Sequence, residues 1–125
     1  MMQRILLLCL AGASGTLCRY ALAGLVHRVV GTTFPWGTLA VNVTGCFTAG
    51  LMWSLFEHRW VIGGEARVII MIGFIGAFTT FSTFILESGE LIRTTQYLMA
   101  AANFIFQNGL GLLALTAGIA LGRLA

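Results

Sequence analysis

Two places in this chain gather uncharged hydrogen-bond donors within apolar runs. Asn42 stands in one, with Thr38 a helical turn before it; Thr79, Thr80, Ser82 and Thr83 crowd the other. Phe74, Phe78, Phe81 and Phe84 thread the second place at spacings of four, three and three. Amide and hydroxyl donors can hold an ion without trapping it as a full charge would. A phenyl ring has a negative face and a positive edge, so ring edges can solvate an anion. These residue types could therefore carry a small anion through an apolar setting. They also have a plainer use. Asn42 could make one interhelical hydrogen bond, worth about 1 kcal/mol in a membrane bundle. Phenylalanines at this spacing share a helical face and pack bundles or lipid. Spacing by itself favours packing.

The stretch that must position these groups runs from Gly73 to Phe84. Gly73 and Gly76 weaken a helix interior, and the neighbouring hydroxyls compete for its backbone groups. The third helix is therefore predicted to be broken near Gly76–Thr80. Irregular backbone survives at membrane depth only where protein or a water-filled cavity satisfies it. Such a break exposes helix ends whose partial charges attract an anion at the N-terminal side, and carbonyls that could hold a cation.

That depth is implied by composition. Of 125 residues, 58% are hydrophobic and 9% charged, which is the balance of a membrane protein. At about 20 residues per crossing, four spans fill the chain as a single all-α domain over residues 1–125, with spans at about 5–26, 36–56, 67–93 and 97–121. Met1–Arg4 followed by Ile5–Ala13 has the outline of a signal peptide, but the apolar run continues past any cleavage point. The basic side chains are all arginine, and the net charge of +3 is too scattered for a nucleic-acid footprint. Cys9, Cys18 and Cys46 match no metal spacing and read as small hydrophobes. No catalytic triad pattern, zinc spacing or phosphate loop is present, so no enzyme is expected.

Along the spans, Ala11–Thr16 form a small-residue face suited to close helix approach. Arg19 lies within the first span and has two readings, snorkelling to the interface or drawing an anion into a vestibule. Pro35 and Trp36 open the second span. Beyond the break, Thr80, Thr83, Glu87 and Glu90 recur as a polar stripe turned away from Phe81 and Phe84. Glu87 is a functional candidate because an ionisable group inside a membrane is costly. In the fourth span Phe104, Asn108, Leu112 and Thr116 form a strip at spacing four.

The run Thr79-Thr80-Phe81-Ser82-Thr83-Phe84 resembles the signature of the Fluc (CrcB-type) fluoride channel family. Pro35 to Asn42 resembles that family's second span, and Gly12 to Tyr20 its first. The resemblance implies an antiparallel, dual-topology homodimer in the inner (plasma) membrane, with two fluoride pores exporting fluoride passively. It implies that Asn42, Phe81 and Phe84 line the pore, with hydroxyls from Ser82 and Thr83 and one from Thr38 at its mouth. Glu87, Asn108 and Thr116 would form a polar track, and Arg19 part of a vestibule. Gly76 and Thr79 would offer backbone carbonyls to a structural sodium ion at the dimer centre. One position departs from the pattern: Leu112 stands where relatives often carry serine after the glycine matching Gly111. Fluoride, a second copy and the lipid bilayer are the partners implied, with no nucleic acid. Two other classes compete, a small four-helix multidrug exporter and a non-transporting membrane interaction subunit. The exporter class resembles itself in a first-span glutamate, which this chain lacks.

Overall fold

The computed structural model describes residues 1–58 and 62–124. Arg59 and Trp60, expected in the second loop, lie outside the described residues. Every regular element among those described is helical: α1 (Met2–Val30), α2 (Trp36–His58), a segmented third span and α6 (Tyr97–Leu124). The third span begins as α3 (Gly64–Val68), passes through a π-helical turn (Ile69–Ile75) and continues as α4 (Gly76–Phe78) and α5 (Phe81–Arg93). Four helical stretches among the described residues are long and apolar enough to cross a membrane. The chain is a multi-pass membrane protein.

The helices outrun the spans expected from hydropathy. α1 has 29 residues, about 43 Å of helix against about 30 Å of hydrocarbon. Apolar pattern marks what lies in lipid, whereas backbone hydrogen bonding continues into the interface. α1 stops at Gly31, whose φ of 93° suits glycine and whose N–H reaches the His27 carbonyl. α5 and α6 are joined by a tight turn in which Gln96 N–H closes onto the Leu91 carbonyl at 2.8 Å.

Two parallel helix pairs build the bundle. α2 lies against α6, and α1 lies against the first half of the third span. Close approach depends on missing side chains. A Cβ on Gly118 would stand 2.2 Å from the Phe47 carbonyl oxygen, and one on Gly15 would stand 2.3 Å from that of Phe74. Lipid tails are as apolar as the helices, so this backbone-to-backbone packing supplies much of the association.

The third span breaks at Thr79 and Thr80, whose φ/ψ of −81°/158° and −150°/105° are extended. Gly76 is not part of the break. It is helical at −62°/−35°, and its N–H reaches the Met71 carbonyl at the end of the π turn. Glycine weakens a helix without ending it; the chain leaves the helix where Asn42 takes the backbone groups of Thr80. The break also divides the phenylalanines, which do not share one face. Phe74 and Phe78 stack at 6.1 Å with 5° between their planes, on the near side. Phe81 and Phe84 meet edge to face at 5.5 Å on the far side.

Candidate functional site

At the break, Asn42 does for the third span what a neighbouring strand would do. Its Oδ1 accepts the Thr80 N–H at 2.8 Å, and its Nδ2 donates to the Thr80 carbonyl at 3.1 Å. The paired contacts fix which end of the amide is oxygen. The second proton of Nδ2 goes to Gln107 Oε1 at 3.0 Å. α2, the break and α6 are thus tied through one side chain. Thr80 then starts α5 as its N-cap: its Oγ1 accepts the Thr83 N–H at 3.3 Å and donates to Thr83 Oγ1 at 2.8 Å. Ser82 Oγ lies 3.4 Å from the same hydroxyl. Thr79 Oγ1 and its own N–H both turn back to the Ile75 carbonyl. Because Thr80 N–H is taken by Asn42, the Gly76 carbonyl lacks the bond that a continuing helix would give it.

A cavity of about 310 Å³ opens beside this knot. Asn42, Thr79, Thr80, Phe81, Phe84 and Gln107 line it, with Cys46, Asn108 and Leu115 among the rest of the wall. Its donors are unevenly committed. Both amide protons of Asn42 are spent inside the protein. Gln107 holds Asn42 through Oε1, yet its Nε2 is buried with no hydrogen-bond partner. Thr83 accepts from Thr80 and keeps its hydroxyl proton. Phe84 is 3% exposed and meets the Phe104 ring edge to face at 5.1 Å, whereas Phe81 is 72% exposed. One turn on, Ser88 Oγ donates to the Phe84 carbonyl and accepts from Asn103 Nδ2, which anchors α5 to α6 under that ring.

A second cavity, of about 500 Å³, lies toward the α1–α2 loop. His27, Thr32, Thr33, Glu87 and Glu90 are among its walls. Thr38 Oγ1 donates to Glu87 Oε1 at 2.7 Å, and the other carboxylate oxygen is buried without a partner. Of the expected stripe, Thr80 and Glu87 therefore face α2, through Asn42 and Thr38, while Thr83 bonds Thr80 and Glu90 pairs with Arg93.

The family model described as "CrcB-like protein, Camphor Resistance (CrcB)" matches residues 6–119. The chain belongs to the CrcB-like family. It is 54% identical to a protein of Desulforapulum autotrophicum named "Fluoride-specific ion channel FluC", over 99% of each chain. Proteins of the same name from Solidesulfovibrio magneticus and Nitrosococcus oceani are 53% and 48% identical, again over 99% of each chain.

In this CrcB-like chain the expected residues do not all converge. Asn42, Phe81, Phe84 and Thr83 meet at one cavity or its rim, and Thr38 meets Glu87. Asn108 stands at the cavity edge on the exposed side of α6, its amide donating to its own helix at the Phe104 carbonyl. Thr116 is exposed and donates to the Leu113 carbonyl; it lines neither cavity. Leu112 is 63% exposed on the same outer face. Arg19 lines neither cavity and makes no hydrogen bond or ion pair among the described residues. The inward face of α6 is instead Asn103, Gln107 and Gly111, one residue out of phase with the strip at Phe104, Asn108, Leu112 and Thr116. Gln107 and Asn103 were visible as polar positions, but only packing fixes which strip turns inward.

Proposed function

We propose that this protein is a fluoride-selective channel that lets fluoride leave the cell passively across the inner (plasma) membrane. The observation that carries this reading is the knot of Asn42, Thr80 and Gln107 beside the Phe81 and Phe84 rings, in a chain of the CrcB-like family. No bond is made or broken, so the protein is not an enzyme. Fluoride is small and strongly hydrated, and the pathway must replace its water with donors that also release it. Gln107 Nε2 supplies an unspent amide donor and Thr83 an unspent hydroxyl proton, with Ser82 next to it. Ring edges of Phe81 and Phe84 add positive potential. Asn42 holds the break open and can donate a hydrogen bond from Nδ2 to the ion when it releases Gln107 Oε1 or the Thr80 carbonyl. Thr38 and Glu87 stand at the mouth, and Asn108 and Thr116 mark the outer polar face of α6. Arg19 raises the potential at one end of the pathway.

The working assembly is an antiparallel, dual-topology homodimer with two pores. Phe81 at 72% exposure, beside an open-sided cavity, is what a second copy would complete. Backbone carbonyls of Gly76 and Thr79 suit a hard monovalent cation, and sodium held there adds a fixed positive charge at the break. The freed Gly76 carbonyl supports that assignment. The multidrug-exporter reading lacks its acid, since α1 contains no Asp or Glu.

The test is fluoride efflux from liposomes containing only this protein, followed with a fluoride electrode. Rapid fluoride release with chloride retained is expected. Vesicles that keep their fluoride, or that lose chloride equally fast, would overturn the proposal.

A further inference from the structure

A third cavity, of about 280 Å³, lies away from the pathway, between the last turns of α2 and the first turns of the third span. Trp53, Phe56, Val68, Met71 and Ile72 give it apolar walls, and Arg67 supplies its one charge. Arg67 Nη2 donates to the Phe56 carbonyl near the C-terminal end of α2, and the guanidinium carbon stands 5.6 Å from the centre of the Phe56 ring. Nε is buried with no hydrogen-bond partner, and no carboxylate pairs with Arg67 among the described residues. The guanidinium is partly buried against apolar walls, with one carbonyl and one ring beside it and no counter-charge among the described residues, so the partner that complements it is an anion. The walls call for a hydrocarbon chain. Trp53 and Ile72, 56% and 67% exposed, leave the cavity open on the outside of the bundle. The same end of the bundle carries Arg4 and Arg123, beside the starts and ends of α1 and α6.

We propose that this cavity binds an anionic phospholipid of the phosphatidylglycerol class, its phosphodiester on Arg67 and its upper acyl chain between Trp53, Met71 and Ile72. The lipid's phosphate neutralises the guanidinium and accepts from it, while Phe56 and the end of α2 hold the arginine in place. The site depends on the membrane location and is separate from fluoride conduction.

Native mass spectrometry of the purified full-length protein, equilibrated with equimolar phosphatidylglycerol and phosphatidylcholine, tests it. Wild type should retain phosphatidylglycerol selectively, and millimolar inorganic phosphate should not displace it. Arg67→Gln should lower that selectivity by about fivefold. Ile72→Trp fills the cavity without touching the arginine and should also reduce retention, which keeps the test sharp if Arg67→Gln assembles poorly. Equal retention of the two lipids by wild type, or unchanged selectivity in both variants, would overturn the proposal. So would displacement by inorganic phosphate, which would make the occupant a free anion. Disulfide crosslinking between copies through Ile72→Cys would assign the cavity to a second copy instead.

Discussion

On the proposed function, Asn42 and Gln107 divide between them the two tasks that the sequence offers for Asn42. A lone amide in an apolar run reads equally as an interhelical bond or as an ion donor, and here its two protons go to the Thr80 carbonyl and to Gln107 Oε1. The unspent donor is displaced by one side chain, to Gln107 Nε2. Substitutions should separate the two tasks. Gln107→Leu removes the free donor, together with the acceptor of one Asn42 proton, and leaves the Asn42–Thr80 pair intact. It should slow fluoride efflux by about 5- to 150-fold, the value of one lost donor of about 1–3 kcal/mol at the barrier, with little change in assembly. Asn42→Ala strips both Thr80 backbone groups of their partner and should cost stability as well as flux. Efflux and thermal melting measured side by side check this: equal melting losses for the two variants would show that Gln107 is as structural as Asn42. Sequence could not assign these roles, because which proton is spent depends on contacts between residues 38 and 65 positions apart.

Among the elements, the third span was the most legible and the fourth the least. Glycine, threonine and serine crowding between Gly73 and Thr83 predicts a break, and the chain does leave the helix there. The break is shorter than the composition implies and leaves Gly76 helical, since a π turn ahead of it gives the Gly76 N–H a carbonyl at Met71. For α6, spacing four fits Phe104–Asn108–Leu112–Thr116 and Asn103–Gln107–Gly111 equally well. The choice is made by glycines that bury against α2. A Cβ on Gly118 would sit 2.2 Å from the Phe47 carbonyl oxygen and 2.8 Å from the Leu51 nitrogen, both backbone atoms. Neither can swing aside. Gly118→Ala should therefore force α2 and α6 apart and destabilise the fold by about 1–3 kcal/mol. Gly24→Ala is the control, since nothing lies within 4 Å of the added carbon, and it should leave melting unchanged or slightly raised. A Gly118→Ala protein that melts with wild type would mean that this helix pair is not the rigid part of the bundle.

At the level of the whole molecule, the parallel pairing of α2 with α6 puts their C-termini at one end with the start of α1 and of the third span. That end carries Arg4, Arg67 and Arg123 among the described residues; the other end carries Arg28 and Arg93. Arg93 is held by Glu90 through contacts of 2.8 and 2.5 Å. Orientation in a membrane follows the arginine count near span ends. Counted along the sequence, where Arg59 falls between the second and third spans, the arginines stand four against two; that is a weak bias, and a weak bias is what a chain needs if copies are to insert both ways and pair head to tail. Strengthening it should therefore abolish function without touching the pathway. Arg28→Gln with Arg93→Gln leaves four against none and should hold the termini in the cytoplasm; Arg4→Gln, Arg59→Gln and Arg123→Gln with Gln96→Arg leaves one against three and should hold them outside. Each set expressed alone should insert uniformly, as read by a reporter fused to the C-terminus, and should give no more fluoride efflux than empty vesicles. Co-expression of the two sets should restore efflux, because each supplies the orientation that the other lacks. Full activity from either set alone, with its single orientation confirmed, would exclude the antiparallel homodimer and require a parallel assembly in its place.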